Sequence, residues 1–334
     1  MALPDFLLAG APKAGTTAVH VALARHPQIY MSRVKEPKFF LSDGRPAVQH
    51  GPGDRKTVRE QVWQPDAYEA LFADAGPGTL AGESTSLYLQ DHAAHRRIQA
   101  AIPDVRIIAV LRDPVDRAHS NWAHLWSAGL EPEGDFVKAC GLEDKRRAAG
   151  WAPFWRYLSL GKYGEQLEHL WSTLPREQTL LLRYREVRES PAATLDRITS
   201  FLGVQTGVVT EMTPENVTTH ASGSLVNRVA ARALRVVTAV EHQVPGPARQ
   251  APSLLSSFLS RHLQREQRPR EALTPAQREA LIPHFADDVR LLERLVGESF
   301  AEWTDMHRSD PRAELRPTGR IGTAHNSIDR PIRD

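Results

Sequence analysis

A short apolar run, Phe6-Leu7-Leu8-Ala9, leads straight into the segment GAPKAGTTA from Gly10 to Ala18, and from Thr16 the pattern is helical through Ala24, ending before His26-Pro27. A buried strand, a tight glycine turn and a helix start in that order aim backbone N–H groups at an anion, the construction of a phosphate-binding loop. The order of residues narrows which loop this is. A Walker A loop carries its lysine directly after the second glycine. Here Lys13 comes two residues before Gly15, and Thr16-Thr17 follow the glycine. The lysine therefore stands on the rising part of the loop, beside the bound group, and no standard NTPase motif is present.

The rest of the chain repeats the alternation. Apolar, β-rich runs recur at Ile29–Met31, Thr79–Gly82, Val105–Leu111 and Thr179–Leu182. Helical stretches lie around Tyr68–Phe72, His92–Ala101, Pro114–Trp126, Gly164–Leu174 and Pro191–Leu202. Strands alternating with helices predict an α/β fold, a three-layer α/β/α arrangement with a central parallel sheet covered on both faces. Ligands of such sheets bind at the carboxyl ends of the strands, where both Lys13 and Arg112 fall. Residues 44–65, rich in Gly, Pro and charge, read as a loop over that edge, either a substrate lid or a solvated insertion. Residues 205–224 are polar and irregular, and a helix is expected from Leu225 to about Val240. Thr274-Pro275-Ala276-Gln277 has capping-box spacing with proline at the first helical position, which predicts a helix running to about Val296. From Met306 the periodicity is lost, so the expected organisation is one domain over residues 1–304 and a disordered tail over 305–334.

Composition removes several function classes. The chain has 334 residues, 41% hydrophobic and 25% charged, as expected of a globular protein with a substantial core. A net charge of +2 gives no general footprint for nucleic acid. Every lysine lies at or before Lys162, so Lys13, Lys35 and Lys38 are either placed for a purpose or left over from a bias towards arginine. The single cysteine, Cys140, excludes an intrachain disulfide and a cysteine-rich metal site. No run reaches the ~18–20 apolar residues of a membrane span, and residues 1–10 lack the basic start of a signal peptide, so a cytoplasmic location is expected.

A second informative segment is VLRDPVDRAHSNW, Val110 to Trp122. Asp113 can cap the helix and Pro114 suits its first turn, which leaves Arg112 at the strand tip with a planar fork for a phosphate. Ser120, two turns into the helix, can add a hydroxyl donor. Taken alone, Arg-Asp-Pro is also compatible with a plain strand-to-helix junction.

Together the two segments resemble those of the sulfotransferases that use 3'-phosphoadenosine 5'-phosphosulfate (PAPS). The 5'-phosphosulfate loop of that family, P-K-[SAC]-G-T-T, is matched by Pro12 to Thr17, and its 3'-phosphate segment, L-R-[DN]-P-x-x-R-x-x-S, by Leu111 to Ser120. Weaker likeness continues through Gly161-Lys162-Tyr163, Leu180 to Val187 and Phe201-Leu202-Gly203, so that roughly residues 5–304 are covered. The resemblance implies a P-loop-like sulfotransferase fold. It also implies that Lys13 meets the 5'-phosphate and the bridging oxygen, that Ala14, Gly15, Thr16 and Thr17 complete that cradle, and that Arg112 and Ser120 hold the 3'-phosphate. Two anion sites on neighbouring strand tips match a donor with two anionic ends.

Three further segments take their meaning from the same likeness. KEPKFF, Lys35 to Phe40, is similar to the Lys-Glu-x-x-Phe-Phe segment of Golgi carbohydrate sulfotransferases, whose glutamate acts as the base. Glu36 is thus the candidate base, with Lys35 and Lys38 as candidate contacts for sulfuryl oxygens or an anionic acceptor. Cytosolic members use histidine, which keeps His50, His92 and His124 as rivals. Gly82-Glu83-Ser84-Thr85-Ser86-Leu87-Tyr88 resembles G-E-K-[ST]-P-x-Y, with Ser84 where lysine is common and Ser86 where proline is common. Glu83 is expected either to orient the acceptor or assist Glu36, or to make a structural hydrogen bond at the sheet edge. Ser222, Gly223 and Ser224 fall where relatives fold a loop over the adenosine, and Tyr157 matches a nucleotide-holding tyrosine of some relatives or is a packing residue. Among the tryptophans, Trp122 and Trp126 are spaced as one helix face and read as core, whereas Trp151 and Trp155 are expected to reach the acceptor.

The expected activity is in-line transfer of a sulfuryl group from PAPS to a hydroxyl of a carbohydrate, glycolipid or secondary metabolite, releasing 3',5'-adenosine bisphosphate, with no metal required. The motif style points to soluble bacterial relatives of the Golgi enzymes. A nucleotide or small-molecule kinase, and a non-catalytic anion- or glycan-binding module, are the alternatives. Oligomeric state is not legible.

Overall fold

The computed structural model describes residues 3–213 and 272–305, together with the backbone of His220–Ala221 and Gln267–Arg268. The expected adenosine-covering residues Ser222, Gly223 and Ser224, the expected helix from Leu225 and the tail from residue 306 lie outside the described residues.

Five strands, β1 (Phe6–Gly10), β2 (Ile29–Met31), β3 (Leu80–Ser84), β4 (Arg106–Leu111) and β5 (Thr179–Arg183), form one sheet in the order β2-β3-β1-β4-β5. All four pairings are parallel. Every residue of β1 and all but the first of β4 are buried, so the two central strands are covered on both faces. Such strands read as continuous apolar runs rather than alternating ones, which is why FLLAG and RIIAVL were legible. Phe6 lies beside Gly82 in the register, and a Cβ on that glycine would sit 2.2 Å from the Phe6 ring. The missing side chain is what lets the aromatic ring lie across the neighbouring strand.

Helices fill the connections: α1 (Thr16–Leu23), α2 (Asp54–Arg59), α3 (Pro65–Glu69), α4 (His92–Ala101), α5 (Pro114–Ser127), α6 (Phe136–Gly141), α7 (Glu143–Ala148), α8 (Tyr163–Thr173), α9 (Tyr184–Glu189) and α10 (Pro191–Leu202). Two more, α11 (Pro275–Leu281) and α12 (Ala286–Val296), close the described chain. The single helix expected after Thr274 is thus two. Thr274 does form the capping box with Gln277, but a 3-10 turn over Ile282–His284 interrupts the helix, because Pro283 has no N–H for the ladder and its ring clashes with the preceding turn. Residues 44–65 are not all loop either, since α2 starts after Gly53.

These C-terminal helices are tied to the sheet edge by buried polar contacts. Arg278 of α11 reaches Asp113 at 2.5 Å and the Trp303 carbonyl at 3.0 Å. Asp113 in turn caps α5 by accepting from Val115 and Asp116 N–H. Asp288 of α12 accepts from the first N–H groups of α8, those of Gly164 and Glu165, both at 2.9 Å.

Candidate active site

The carboxyl ends of all five strands converge on one edge. From β1 comes the loop Ala11 to Gly15. Gly15, at φ 90°, precedes α1, whose first turn has neither a side-chain cap nor an acidic residue. An uncapped helix start presents its first N–H groups to an anion. Lys13 adopts φ 68° on the rising limb of this loop. Its carbonyl accepts a 2.9 Å hydrogen bond from Arg112 Nη1, at the tip of β4. The two expected anion sites are therefore joined directly, through one guanidinium nitrogen bonded to the loop.

Tyr184, the first residue after β5, packs on both. The Arg112 guanidinium lies 4.6 Å from its ring centroid, and a Cβ on Gly15 would meet the ring at 3.1 Å. The sequence reading missed this tyrosine, although its place at a strand tip was a signal. Ser120 lies half-buried on α5.

The opposite side of the edge is built by two short segments laid against each other, Lys35–Lys38 after β2 and Ser84–Ser86 at the end of β3. Glu36 N–H donates to the Ser84 carbonyl at 2.8 Å, and Lys38 N–H donates to Thr85 Oγ1 at 3.1 Å. Glu36 and Lys38 both lie in the left-handed region, at φ 61° and 62°. Each such non-glycine residue costs roughly 1–2 kcal/mol, so these hydrogen bonds are what impose the conformation. The Glu36 carboxylate accepts from Lys35 Nζ at 3.1 Å, from Ser86 Oγ at 2.8 Å and from Ser86 N–H at 3.1 Å. Burial lowers Lys38 below the usual lysine value, with the nearby Glu36 charge acting against it.

Glu83 makes the hydrogen bonds of its structural alternative. It is fully buried and accepts from Tyr68 at 3.1 Å, Tyr88 at 2.7 Å and Thr85 at 2.9 Å. Burial pushes it up to about 7 despite those three donors. Its work is to anchor Thr85, which in turn holds Lys38. His20 of α1, also absent from the sequence reading, places Nδ1 2.8 Å from Ser84 Oγ, and burial together with Lys35 lowers it to about 4.

Two expectations are corrected. Trp155 is 2% exposed and donates its indole N–H to Asp54 at 2.9 Å, so its ring is not open to an acceptor. Tyr157 is buried and donates its hydroxyl to Glu131, which also pairs with Arg146; it belongs to a closed polar network, the packing alternative rather than a nucleotide contact. Trp151 stays half-buried, its ring 4.9 Å from Trp155. Asp54 accepts from Gly51 and Ala152 N–H as well, and Gln61 donates to the Lys38 carbonyl, so residues 44–65 run between the Glu36 segment and the Trp151 segment. Among the rival histidines, His92 stacks on His169 at 3.9 Å and His124 meets Phe154 at 6.1 Å, while His50 N–H binds the Gly150 carbonyl.

Residues 3–227 match the family model described as sulfotransferase domain. Human heparan sulfate glucosamine 3-O-sulfotransferase 3B1 is 29% identical over 204 residues, 61% of this chain and 47% of that protein. Human bifunctional heparan sulfate N-deacetylase/N-sulfotransferase 2 is 30% identical over 209 residues, 60% of this chain and 22% of that protein. The chain thus spans about half or less of the length of these curated relatives. A crystal structure of a sulfotransferase from Alicyclobacillus acidocaldarius superposes with a TM-score of 0.70 at 26% identity, covering 91% of this chain and 100% of that one. A loop with displaced lysine, a strand-tip arginine bonded to it and a family match over two thirds of the residues agree, and the chain belongs to the sulfotransferase domain family.

Proposed function

We propose that this chain transfers a sulfuryl group from PAPS to a hydroxyl acceptor by in-line displacement. The observation that carries the reading is the opposition of two sets of groups on one sheet edge. The uncapped start of α1 with Lys13 and Arg112 stands on one side, and the ordered Glu36 carboxylate on the other. The donor fits the first set on chemical grounds. A phosphosulfate and a 3'-phosphate are two separated anions, and the edge offers a helix start with a lysine and, one strand over, an arginine with Ser120.

In this reading residues 13–17 hold the phosphosulfate, and Lys13 neutralises the bridging oxygen as the S–O bond to the leaving phosphate breaks. Arg112 and Ser120 fix the other end of the nucleotide. Glu36 takes the proton of the acceptor hydroxyl as its oxygen forms the new bond to sulfur. Lys35 and Lys38 face the charge that collects on the sulfuryl oxygens. The similarity to a heparan sulfate glucosamine 3-O-sulfotransferase favours a carbohydrate hydroxyl as acceptor.

The experiment is a panel of hydroxylated acceptors, carbohydrates first, incubated with labelled PAPS and read by transfer of label and by a mass gain of one SO₃. Lys13→Ala should lower turnover by about 10²–10³-fold. Glu36→Gln should lower kcat by about 10²–10⁴-fold and leave PAPS binding intact. Full activity in Glu36→Gln would remove the base assignment, and nucleotide binding without transfer to any acceptor would favour the non-catalytic module.

A further inference from the structure

We propose that Ser86 is a positioning residue that clamps the Glu36 carboxylate from both oxygens; the proposal rests on the reading of Glu36 as the base. Ser86 Oγ donates to Oε1 at 2.8 Å and Ser86 N–H donates to Oε2 at 3.1 Å, so one residue fixes both the place and the plane of the carboxylate. Ser86 is 7% exposed, and its hydroxyl has little water to turn to instead.

The geometry of Glu36 leaves its carboxylate few other holds. Its backbone, at φ 61°, is in a conformation that a non-glycine residue keeps only under constraint, and its side chain is otherwise held by Lys35 alone. The Lys35–Glu36 pair has about a quarter of each side chain exposed, at 26% and 26%, and a pair of that kind orients weakly. Hydrogen bonds to an ionised acceptor are stronger and more directional. A carboxylate has roughly four lone-pair positions. Lys35 and Ser86 occupy three, and one is left for the hydroxyl that is to be deprotonated.

The clamp also explains a departure from the family pattern. Proline is common at the position of Ser86, and proline has no N–H and no hydroxyl. Serine supplies two donors there, and in this chain both go to the same carboxylate.

The test is steady-state kinetics with PAPS and the best acceptor from the panel. Ser86→Ala, which keeps the N–H, should lower kcat roughly 10-fold, and Ser86→Pro, which keeps neither donor, roughly 100-fold. Ser86→Thr should return kcat to within about 3-fold of the parent, because the hydroxyl is restored. The KM for PAPS and the affinity for 3',5'-adenosine bisphosphate should not change. In a Glu36→Ala background, Ser86→Ala should have no further effect. Ser86→Gly repeats the measurement if the alanine variant does not fold. An unchanged kcat in Ser86→Ala, an equal loss in the Glu36→Ala background, or a fall in nucleotide affinity that tracks kcat would each overturn the clamp. A dead Glu36→Gln enzyme with a fully active Ser86→Ala enzyme removes the clamp and leaves the base reading, whereas an active Glu36→Gln enzyme removes the base reading itself.

Discussion

Gly15 is the residue on which most of the donor side turns. Its φ of 90° lies where a Cβ is strained, and the space a Cβ would take is bounded by the Tyr184 ring at 3.1 Å. Gly15→Ala therefore has two consequences that separate in measurement. Backbone strain should cost about 1–2 kcal/mol of stability, read by denaturant unfolding. Displacement of Tyr184 should reach Arg112, which rests on the same ring and on the Lys13 carbonyl, and so weaken 3',5'-adenosine bisphosphate by calorimetry. Tyr184→Leu isolates the second effect, since it leaves Gly15 unstrained; a normal nucleotide affinity in that variant would show that the ring does not support Arg112. The residue scale is also where the sequence was most and least readable. Lys13 and Arg112 stand in local patterns that state their own geometry, strand then turn then helix. The partner of Glu36 that matters most could not be read, because Ser86 comes to it from the end of β3, fifty positions away.

Among the elements, the strands and most of the longer helices were legible, and several six-residue helices were not. Strand β2 over Ile29–Met31 and helices α4 and α10 fall where the periodicity puts them, because burial on one side or on both leaves a pattern. Helices α6, α7 and α9 have six residues each, too few for a period, and are fixed by contacts such as Asp135 capping Lys138 N–H and the Glu186 side chain returning to Arg183 N–H. The segment 44–65 shows the same dependence on tertiary partners. Asp54, 4% exposed, satisfies Gly51 N–H, Ala152 N–H and the Trp155 indole, at 2.8, 2.8 and 2.9 Å. Asp54→Ala would leave three buried donors without an acceptor, at roughly 1–3 kcal/mol for each that water does not reach. The expected result is early proteolytic cleavage within residues 44–65 and a raised acceptor KM, with nucleotide affinity unaltered. Unchanged protease resistance would show that α2 is held by other contacts.

For the whole molecule, the buried titratable groups give stability a pH dependence whose sign can be worked out. His20 and His95 are both lowered from 6.5 to about 4, by burial first, then by Lys35 for His20 and by His169 for His95. His95, on α4, is held neutral by burial and by His169 of α8 and His92 beside it. Its Nε2 lies 3.1 Å from the Leu89 carbonyl, which can only accept, so that nitrogen carries the proton and Nδ1 accepts from His169 Nδ1 at 3.0 Å. At pH above 6.5 both states of the chain hold these imidazoles neutral, and their contribution is fully present. Between pH 6.5 and 4 the unfolded chain takes up protons that the folded chain refuses, so stability falls as pH falls. Glu83 acts in the opposite direction. Its folded value of about 7 lies above the ordinary 4.5, so the folded chain binds a proton first and gains stability as pH drops from 7 to 4.5. His169 is lowered as well, and Asp113 and Asp288 are raised like Glu83, so each group is tested by its own variant, with denaturant unfolding of parent and variant at pH 7 and pH 5. His95→Gln should shift the pH 5 to pH 7 difference towards greater stability in acid, because glutamine does not titrate. Glu83→Gln should shift it the other way by deleting a group that gains stability in acid. Leu89, whose carbonyl His95 holds, donates its own N–H to Ala9 and packs where a Cβ on Gly10 would be, at 2.7 Å. Acid loosening that begins at His95 is therefore expected to reach the base of the donor loop, and nucleotide affinity should fall over the same pH window less steeply in His95→Gln than in the parent; identical slopes would confine the histidine pair to the α4–α8 contact.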